Sequence, residues 1–396
     1  MSTCPICSSG DSRPLFNLAR VPLQNVVIIH NPAEAKAYPV GELAIHGCRR
    51  CGHLFNREFD QRKVDYTAHS EESQACSQKY RSFAIKQAEE LRDRYELFGK
   101  RIVEIGCGKG EFLTQLCQLG DNIGIGIDPG PIPDSLRQSN RERVHYVSGF
   151  FEEHTDLVQD ADCIICRHTL EHISQPLRLL QHLRQAVGSR PIPIFFTVPD
   201  NRRILREGAF WDLYYEHCGY FSWQSLVKLF KESGFLIEEI SRTYDDQHLQ
   251  LFGLVNVEGV PPSRPQNGDE PLLVWNDLDA MSDHFCDRSS QKVTYWQSRL
   301  QKHADCAQRV VLWGGGSKAV AFLSAMNNHP TIVAVVDINP NKTATYLPAS
   351  GCRVISPDQL TEVQPAEVII MNPVYESEIR VELLKNAIDC TLSSLH

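Results

Sequence analysis

The sequence predicts an α/β protein in which two parallel-sheet units follow a small cysteine-rich module. Strand and helix signals alternate over residues 101–233 and again after residue 309. This alternation is typical of parallel sheets covered by helices on both faces. Two Cys-x-x-Cys pairs fall within the first 60 residues, which are rich in turns and poor in helical periodicity. A chain of 396 residues is long enough for two or three domains of ordinary size.

The first α/β unit opens with an amphipathic helix. Apolar residues recur at spacings of three and four between Tyr80 and Phe98, which predicts a helix over residues 77–98. The elements predicted after it are the strand Arg101–Ile105, the helix Glu111–Leu119, the strands Ile123–Ile127, Val144–Val147 and Cys163–Cys166, the helix Leu177–Val187, the strand Ile192–Val198 and the helix Ser225–Ser233.

A proline-rich segment separates the two α/β units. Residues 258–271 contain four prolines and two glycines, which is typical of a linker. A helix over 272–305 is predicted next, followed by the strands Arg309–Trp313, Ile332–Asp337 and Glu367–Met371. We therefore expect four segments: a metal module at 1–60, a core at 61–258, a linker at 259–271 and a C-terminal lobe at 272–396.

Composition narrows the classes of partner. With 40 basic and 49 acidic residues the net charge is −9, which disfavours binding to nucleic acid. No apolar run reaches the roughly 18 residues of a membrane span, and the N-terminus lacks the pattern of a secretory signal. We expect a cytoplasmic protein, monomeric or homodimeric, that acts on a small molecule.

Two cysteine pairs predict a metal site. Cys4 and Cys7 form one Cys-x-x-Cys knuckle, and Cys48 and Cys51 form a second one after a gap of 40 residues. Two such knuckles supply the four thiolates of a tetrahedral zinc site with no open coordination position, so the expected zinc is structural. An iron–sulfur or redox role, or four buried cysteines without a metal, are the alternatives.

A glycine-rich turn predicts a ligand site at the end of the first core strand. Glu104 ends a buried strand, and Gly106, Gly108 and Gly110 then lead into a helix. Glycines there allow a tight turn and a close approach of the backbone to a ligand. The Gly-x-Gly-x-Gly spacing differs from the dinucleotide pattern, so NAD is less favoured. Asp128, 18 residues after Gly110, ends the next strand, where a carboxylate can accept hydrogen bonds from ribose hydroxyls.

Together with the run Leu170-Glu171-His172 after the fourth strand, this pattern resembles the class I methyltransferases that use S-adenosylmethionine. The resemblance covers residues 75–257 and implies a Rossmann-like core. It implies cofactor contacts by Glu104, Gly106, Gly108, Asp128 and Phe151, and Arg167 at the tip of the fourth strand is assigned to the same site.

The whole chain resembles a narrower family. The cysteine pairs, the core, the run Trp313–Lys318 and Asp337 after the following strand are together similar to the three-part C-methyltransferases. The best-known members methylate a carbon of nucleotide-linked deoxy-keto-sugars. The resemblance implies a C-terminal Rossmann-like lobe that closes over the substrate's nucleotide. A lobe retained only for packing or dimerisation is the alternative.

The segment Tyr214–Phe221 carries the residues expected to be catalytic. Methylation at carbon requires a base that removes a proton next to a ketone and a donor that stabilises the enolate oxygen. His217 is the expected base, Tyr214 the expected donor, and Glu216 the group that orients the imidazole. His172 is a second acid/base candidate, and His168 is expected to make a structural hydrogen bond. The residues expected to contact the substrate are Tyr66, Tyr215 and Lys318.

Three other functions stay open. O-, N- or C-methylation of another metabolite would use the same cofactor site, and O-methylation would not need a strong base. A scaffold that binds S-adenosylmethionine without catalysis is a second possibility, although the complete set of polar residues disfavours it. An NAD-dependent sugar enzyme is the third.

Overall fold

A computed structural model of the chain describes residues 3–132, 137–138, 142–255 and 278–395. The predicted linker at 259–271 and the first six residues of the helix predicted at 272–305 lie outside this described part. The α/β fold class is confirmed, since the described strands form three sheets and two of these are largely or wholly parallel.

The bounds of the regular elements follow the sequence periodicities closely. In chain order the strands are β1 (Ser12–Pro22), β2 (Val40–Cys48), β3 (Leu54–Asn56), β4 (Arg101–Ile105), β5 (Ile123–Asp128), β6 (Val144–Ser148), β7 (Cys163–Arg167), β8 (Pro193–Pro199), β9 (Gly219–Tyr220), β10 (Phe235–Thr243), β11 (His248–Val255), β12 (Val310–Trp313), β13 (Ile332–Val336), β14 (Val354–Ile355), β15 (Glu367–Ile370) and β16 (Thr391–Ser394). The α-helices described are α1 (Pro32–Lys36), α2 (Gln78–Arg94), α3 (Glu111–Gly120), α4 (Pro176–Val187), α5 (Asn201–Glu207), α6 (Trp223–Glu232), α7 (Leu278–Asp305), α8 (Ser317–Ala325), α9 (Leu360–Val363) and α10 (Glu376–Lys385).

Helix α2 begins where the sequence predicts and ends earlier. The Ser77 side chain accepts a hydrogen bond from the Tyr80 backbone N–H and caps the first turn. The helix ends at Arg94, four residues before the predicted end. Glu96 and Gly99 both adopt positive φ angles, of 48° and 64°, which a right-handed helix cannot accommodate.

The N-terminal sheet has the order β1-β2-β3-β9 and is antiparallel. Its fourth strand comes from a distant part of the chain, because Gly219 and Tyr220 pair with Phe55 and Leu54. This pairing holds the preceding segment, residues 214–217, against the cysteine-rich module.

The central sheet has the order β10-β11-β8-β7-β4-β5-β6, and only β11 runs antiparallel to its neighbours. β4 lies between β5 and β7, so the strand order reverses direction there. In open α/β sheets, ligands bind in the crevice at the carboxyl ends of the strands that flank such a switch point. Strands β10 and β11, which extend the sheet beyond β8, were not predicted.

The C-terminal sheet repeats this arrangement with five parallel strands in the order β14-β13-β12-β15-β16. Its switch point lies between β12 and β15. Helix α7 is fixed to this sheet by Glu367, which is fully buried at the start of β15. The Glu367 carboxylate accepts hydrogen bonds from Arg299 Nε at 2.8 Å and from His303 Nε2 at 2.7 Å.

Helix α7 also contacts the N-terminal module. Arg13 forms an ion pair with Asp279 at 3.2 Å, and the rings of Phe16 and Phe285 pack edge to face with centroids 6.0 Å apart. The Tyr346 backbone N–H, in the C-terminal lobe, donates a 2.8 Å hydrogen bond to an N-terminal carbonyl. The three units therefore enclose a common space. Among the described helices, none is long and apolar enough to cross a membrane.

Candidate active site

One cavity of about 1370 Å³ opens at both switch points. The central sheet contributes Glu104, Gly106 and Arg167 to its lining, and the C-terminal sheet contributes Gly314 and Asp337. Both sheets therefore present the ligand-binding ends of their strands to the same space. A cavity of this size can hold more than one small molecule at a time.

The turn after β4 requires glycine for two separate reasons. Gly106 has a φ of 68°, and its N–H donates to the Ile127 carbonyl at 2.8 Å. A Cβ at this position would overlap with the Thr169 side chain. Gly110, with a φ of 71°, begins helix α3, and a Cβ there would overlap with the Tyr146 ring. The absence of side chains keeps the backbone of this turn open to the cavity.

Glu104 is a buried carboxylate without a partner for one of its oxygens. Its side chain is 2 % exposed, and Oε2 has no hydrogen-bond partner among the described residues. Burial raises the pKa of Glu104 to about 7, although Arg167 opposes the shift. Because an orphaned buried carboxylate is costly, this group fits a ligand that brings a cationic amine.

Asp128 ends β5 and holds the loops on both sides of it. Its Oδ2 accepts a hydrogen bond from the Gly108 N–H at 2.8 Å, and its Oδ1 accepts one from the Gly130 N–H at 2.7 Å. Burial raises the pKa of this carboxyl, and these two hydrogen bonds oppose the shift. Each carboxylate oxygen keeps acceptor capacity for a hydroxyl group in the cavity.

Phe151 and Arg167 complete the cavity on this side. Phe151 is 3 % exposed and follows β6, so its ring packs in the core and lines the cavity. The guanidinium carbon of Arg167 lies 3.8 Å from the centroid of the Phe112 ring, and its Nε donates to Gln87 at 3.2 Å. Arg167 is therefore held against helices α2 and α3 by stacking as well as by hydrogen bonding.

The two histidines of the expected catalytic set lie together. The ring centroids of His172 and His217 are 4.6 Å apart with the ring planes at 89°. The ring of Tyr214 lies 4.2 Å from that of His217. Burial holds the pKa of His217 well below its usual range, and the neighbouring His172 adds to the shift. Burial also lowers the pKa of His172, so both imidazoles are neutral at neutral pH.

Two sequence expectations about this segment are wrong. Glu216 does not hydrogen-bond His217 in the described structure, because its Oε1 instead accepts the Asn25 backbone N–H at 3.3 Å. Tyr215 does not line the cavity. Its side chain points to the opposite side of the segment and is fully buried. There its hydroxyl donates to the Glu58 carbonyl at 3.2 Å and accepts the Asp60 N–H at 2.9 Å.

Glu171 is the carboxylate that does lie beside the histidines. One oxygen of its carboxylate, one ring nitrogen of His172 and one ring nitrogen of His217 all lie within 4.8 Å of one another. The side chain is 1 % exposed, and Oε2 has no hydrogen-bond partner among the described residues. Sequence reasoning used this residue as part of a signature and gave it no role. Its position directly before His172 in the turn Leu170–His172 is the signal that could have identified it.

The remaining expected residues are placed as follows. Tyr66 lines the cavity, and its hydroxyl donates to the His172 carbonyl at 3.4 Å. His168 adopts a φ of 50°, and its Nδ1 lies 3.6 Å from the Glu171 carboxylate. The His168 ring also packs at 4.4 Å against His248, a cavity residue that sequence reasoning missed.

Lys318 lines the cavity from the start of α8, but it already has an anionic partner. Its ammonium group forms an ion pair with Asp212, which also binds Arg203. Although burial acts to raise it, these two cations hold the pKa of Asp212 below its ordinary value. The pair joins the C-terminal lobe to the segment that leads into Tyr214. Asp212 was not identified from the sequence.

Two parts of the chain match known protein families. Residues 78–240 match the family described as a methyltransferase domain. This range contains the glycine-rich turn, Asp128 and both histidines. The central unit therefore contains a methyltransferase domain. Residues 306–391 match a second family, described as C2185-like, N-terminal.

Curated relatives match about a quarter of the chain. A ubiquinone biosynthesis O-methyltransferase of Aliivibrio fischeri is 27% identical over 116 residues, which are 28% of this chain and 49% of that protein. A tRNA U34 carboxymethyltransferase of Campylobacter hominis is 31% identical over 103 residues, 25% of this chain and 36% of that protein. This chain therefore spans about half, or less, of the length of these relatives.

Two solved structures match part of the chain. A riboflavin-derivative dimethyltransferase of Streptomyces davawensis has a TM-score of 0.36 and 21% identity, and the match covers 44% of this chain and 54% of that one. A magnesium protoporphyrin IX methyltransferase of Synechocystis with bound S-adenosylhomocysteine has a TM-score of 0.36 and 16% identity, covering 44% and 83% of the two chains.

Apart from the methyltransferase domain, the N-terminal module brings four cysteines together. The Sγ atoms of Cys4 and Cys51 lie 3.5 Å apart, as do those of Cys7 and Cys48. All four sulfurs lie within 4.8 Å of one another, and none is in a disulfide. Four thiolates at about 2.3 Å from a tetrahedral zinc would be about 3.8 Å apart, so the cluster fits that ion. None of the four lines the cavity.

Proposed function

We propose that this chain transfers a methyl group from S-adenosylmethionine to a carbon next to a ketone in a small molecule, such as a nucleotide-linked keto-sugar. One observation carries the proposal. A buried histidine, His217, lies against the ring of Tyr214 in the same cavity as Glu104 and Asp128. That combination supplies a base and an oxyanion donor beside a methyl-donor site.

The cofactor assignment rests on the two strand-tip carboxylates. Glu104 has an orphaned oxygen for the amino group of the methionine moiety, and Asp128 has acceptor capacity for the ribose hydroxyls. Gly106 and Gly108 keep the backbone open between them, and Phe151 packs at the adenine end. When bound, S-adenosylmethionine supplies an electrophilic methyl group on a sulfonium ion.

The proposed chemistry at the acceptor is proton removal. His217 is neutral because burial lowers its pKa, so it is in the form that accepts a proton. It takes the proton from the acceptor carbon, and the electron pair of the C–H bond remains on the substrate as an enolate. The Tyr214 hydroxyl donates a hydrogen bond to the enolate oxygen. His172, at 4.6 Å from His217, is the neighbouring group that can relay the proton to solvent.

The acceptor is proposed to lie between the histidines and the C-terminal switch point. Gly314, Gly316 and Asp337 line the cavity there, as expected for the end of a Rossmann-like sheet. Lys318 is held against Asp212, so it positions this lobe over the catalytic segment and is already neutralised. Tyr66 also lines the cavity. A nucleotide-linked sugar is long enough to bridge these two parts of the cavity.

O-methylation is the second candidate. The curated relatives of the domain include proteins named as O-methyltransferases, and the matched region contains the cofactor loop. An alcohol or phenol acceptor is deprotonated more easily than a carbon acid, so His217 would contribute less to that reaction.

The four cysteines are proposed to hold a structural zinc ion. The cluster lies at the end of the N-terminal sheet, and β9 of this sheet begins two residues after His217. The ion would therefore support the catalytic segment without contacting the substrate. We further propose that the protein acts in the cytoplasm as a monomer or homodimer.

The test is methyl transfer from trideuteromethyl-labelled S-adenosylmethionine to two acceptor panels. One panel contains nucleotide-linked keto-sugars and the other contains catechols and hydroxylated quinone precursors. Mass spectrometry and NMR of the product identify the methylated atom. A new C–CD₃ group next to the carbonyl supports the proposal. An O–CD₃ product with no carbon methylation overturns it in favour of the second candidate.

A further inference from the structure

We infer that Glu171 is the positioning residue of the histidine pair: its buried carboxylate is the counter-charge for the imidazolium that forms at His217 or His172. The inference rests on the proposed function. It gives Glu171 the role that the sequence suggested for Glu216, which was to orient the catalytic imidazole.

The surroundings of Glu171 show why its charge is directed at the histidines. The carboxylate is 1 % exposed, and its Oε2 has no partner among the described residues. His172 Nδ1 is also buried without a partner there. Glu171, His172 and His217 each offer one ligating atom, and these three atoms lie within 4.8 Å of one another. Buried polar atoms without partners are costly unless a proton or a ligand engages them.

The geometry requires such a counter-charge during the reaction. When His217 takes a proton, a positive charge appears on a side chain that is only 7 % exposed. A buried cation without a counter-charge is costly. The charged or titratable groups facing the pair include Glu171, Glu216, Glu72, His168, Lys318, Tyr66, Tyr214 and Tyr220. Glu216 is bonded to the Asn25 backbone, and Lys318 is itself a cation bound to Asp212.

Glu171 is also held in place from its own backbone. The Cys218 thiol, directly after His217, lies 3.4 Å from the Glu171 carbonyl and donates to it. Tyr66 approaches the next carbonyl, that of His172. These contacts use main-chain atoms, so substituting the Glu171 side chain leaves them intact. A Glu171→Gln variant therefore changes the charge and keeps the shape.

The test has a readout that does not depend on knowing the acceptor. The pKa values of His172 and His217 are measured by NMR of ring-labelled histidine in the full chain. Single His172→Asn and His217→Asn variants assign the signals. In Glu171→Gln the pKa of at least one of the two falls by one unit or more, while S-adenosylhomocysteine binding stays within about twofold of the unsubstituted protein. If each histidine had the same pKa in Glu171→Gln as in the unsubstituted protein, the inference would be overturned.

Activity gives the second arm. With an acceptor identified, Glu171→Gln lowers kcat by a factor on the order of 100 and leaves KM nearly unchanged, and Glu171→Asp restores part of kcat. If the unsubstituted protein transferred no methyl group to any acceptor, the proposed function would be wrong. The NMR measurement would still test the role of Glu171. Metal analysis of the purified chain completes the test. A second divalent ion per chain that Glu171→Gln loses would assign these side chains to a cation and overturn the inference.

Discussion

The imidazole rings of His172 and His217 lie 4.6 Å apart and perpendicular to each other. They come from different parts of the central unit, one after β7 and one just before β9. The pairing of β9 with β3 fixes the second position relative to the N-terminal sheet. The candidate active site therefore depends on the N-terminal module even though no cysteine of that module lines the cavity.

Binding of S-adenosylhomocysteine should depend on pH through Glu104. Its pKa is raised to about 7 by burial, and only the ionised form pairs with the ligand's ammonium group. Affinity should therefore rise with pH and be about tenfold higher at pH 8 than at pH 6. Titration calorimetry at the two pH values checks this. In Glu104→Gln the affinity should be lower at both values and the pH dependence should vanish. If the affinity of Glu104→Gln for S-adenosylhomocysteine kept the same pH dependence, Glu104 would not be the group that binds the ligand's ammonium.

Gly106 should tolerate no side chain, and the chain offers a matched control. Gly106→Ala combines a left-handed backbone with an overlap against Thr169 and should cost about 3 kcal/mol of unfolding free energy. Gly99 has a similar φ of 64° with nothing within 4 Å of an added Cβ, so Gly99→Ala should cost about 1 kcal/mol. Denaturant unfolding measures both values. Only Gly106→Ala should also lose binding of S-adenosylhomocysteine, and equal losses would contradict this view of the turn.

The four-cysteine cluster should bind one zinc ion per chain. Elemental analysis of the purified protein should give one equivalent, and Cys7→Ser should lower it and cost at least about 2 kcal/mol of unfolding free energy. Cys306→Ser is the control, since Cys306 is exposed and lies outside the cluster. Full stability and folding of Cys7→Ser without zinc would show that the thiols need no ion.

The ion pair between Lys318 and Asp212 should couple the C-terminal lobe to the catalytic segment. In a double-mutant cycle with Lys318→Met and Asp212→Asn, we expect a coupling of about 2–3 kcal/mol, because both groups are largely buried. The cycle for Lys228 and Glu232, an i, i+4 pair on the protein surface, should give less than about 1 kcal/mol. Similar coupling energies in the two cycles would show that the buried pair has no special role.

The ion pair between Lys318 and Asp212 should also make the stability of the protein depend on pH in the acid range. The folded-state pKa of Asp212 is held below its ordinary value, so its contribution to stability is present above about pH 4 and is lost as the pH falls through the folded-state pKa. Asp212→Asn should be less stable than the unsubstituted chain at pH 7, and the difference should shrink below pH 4. Thermal unfolding across this range measures it. A difference that does not change with pH would contradict the assignment.

Local periodicity was sufficient to predict most of the fold. The parallel strands β4, β5 and β7 are continuous apolar runs bounded by turns, so their existence follows from a few residues each. The end of α2 was placed too late because the apolar spacing continues to Phe98, whereas the positive φ of Glu96 is set by the turn itself. Strand β9 is only two residues long, and no local pattern specifies its pairing with Leu54 and Phe55.

The candidate site was predictable where the ligand contacts come from strand tips. Glu104 and Asp128 lie at the ends of two strands that the sequence predicts, and both line the cavity. The direction of side chains within residues 214–217 was not predictable. Tyr215 and Glu216 lie in a turn, and Tyr215 does not line the cavity. The contact between Glu216 and Asn25 joins residues 191 positions apart. The role we propose for Glu171 likewise depends on tertiary distance.

Solvent deuterium exchange tests the central proposal most directly. A nucleotide-linked keto-sugar is incubated in D₂O with the protein and S-adenosylhomocysteine, and deuterium at the carbon next to the carbonyl is followed by NMR. The proposed mechanism predicts exchange by the unsubstituted protein and a loss of at least about 1000-fold in His217→Ala, with S-adenosylhomocysteine binding retained. Exchange at an equal rate in His217→Ala would show that His217 is not the base.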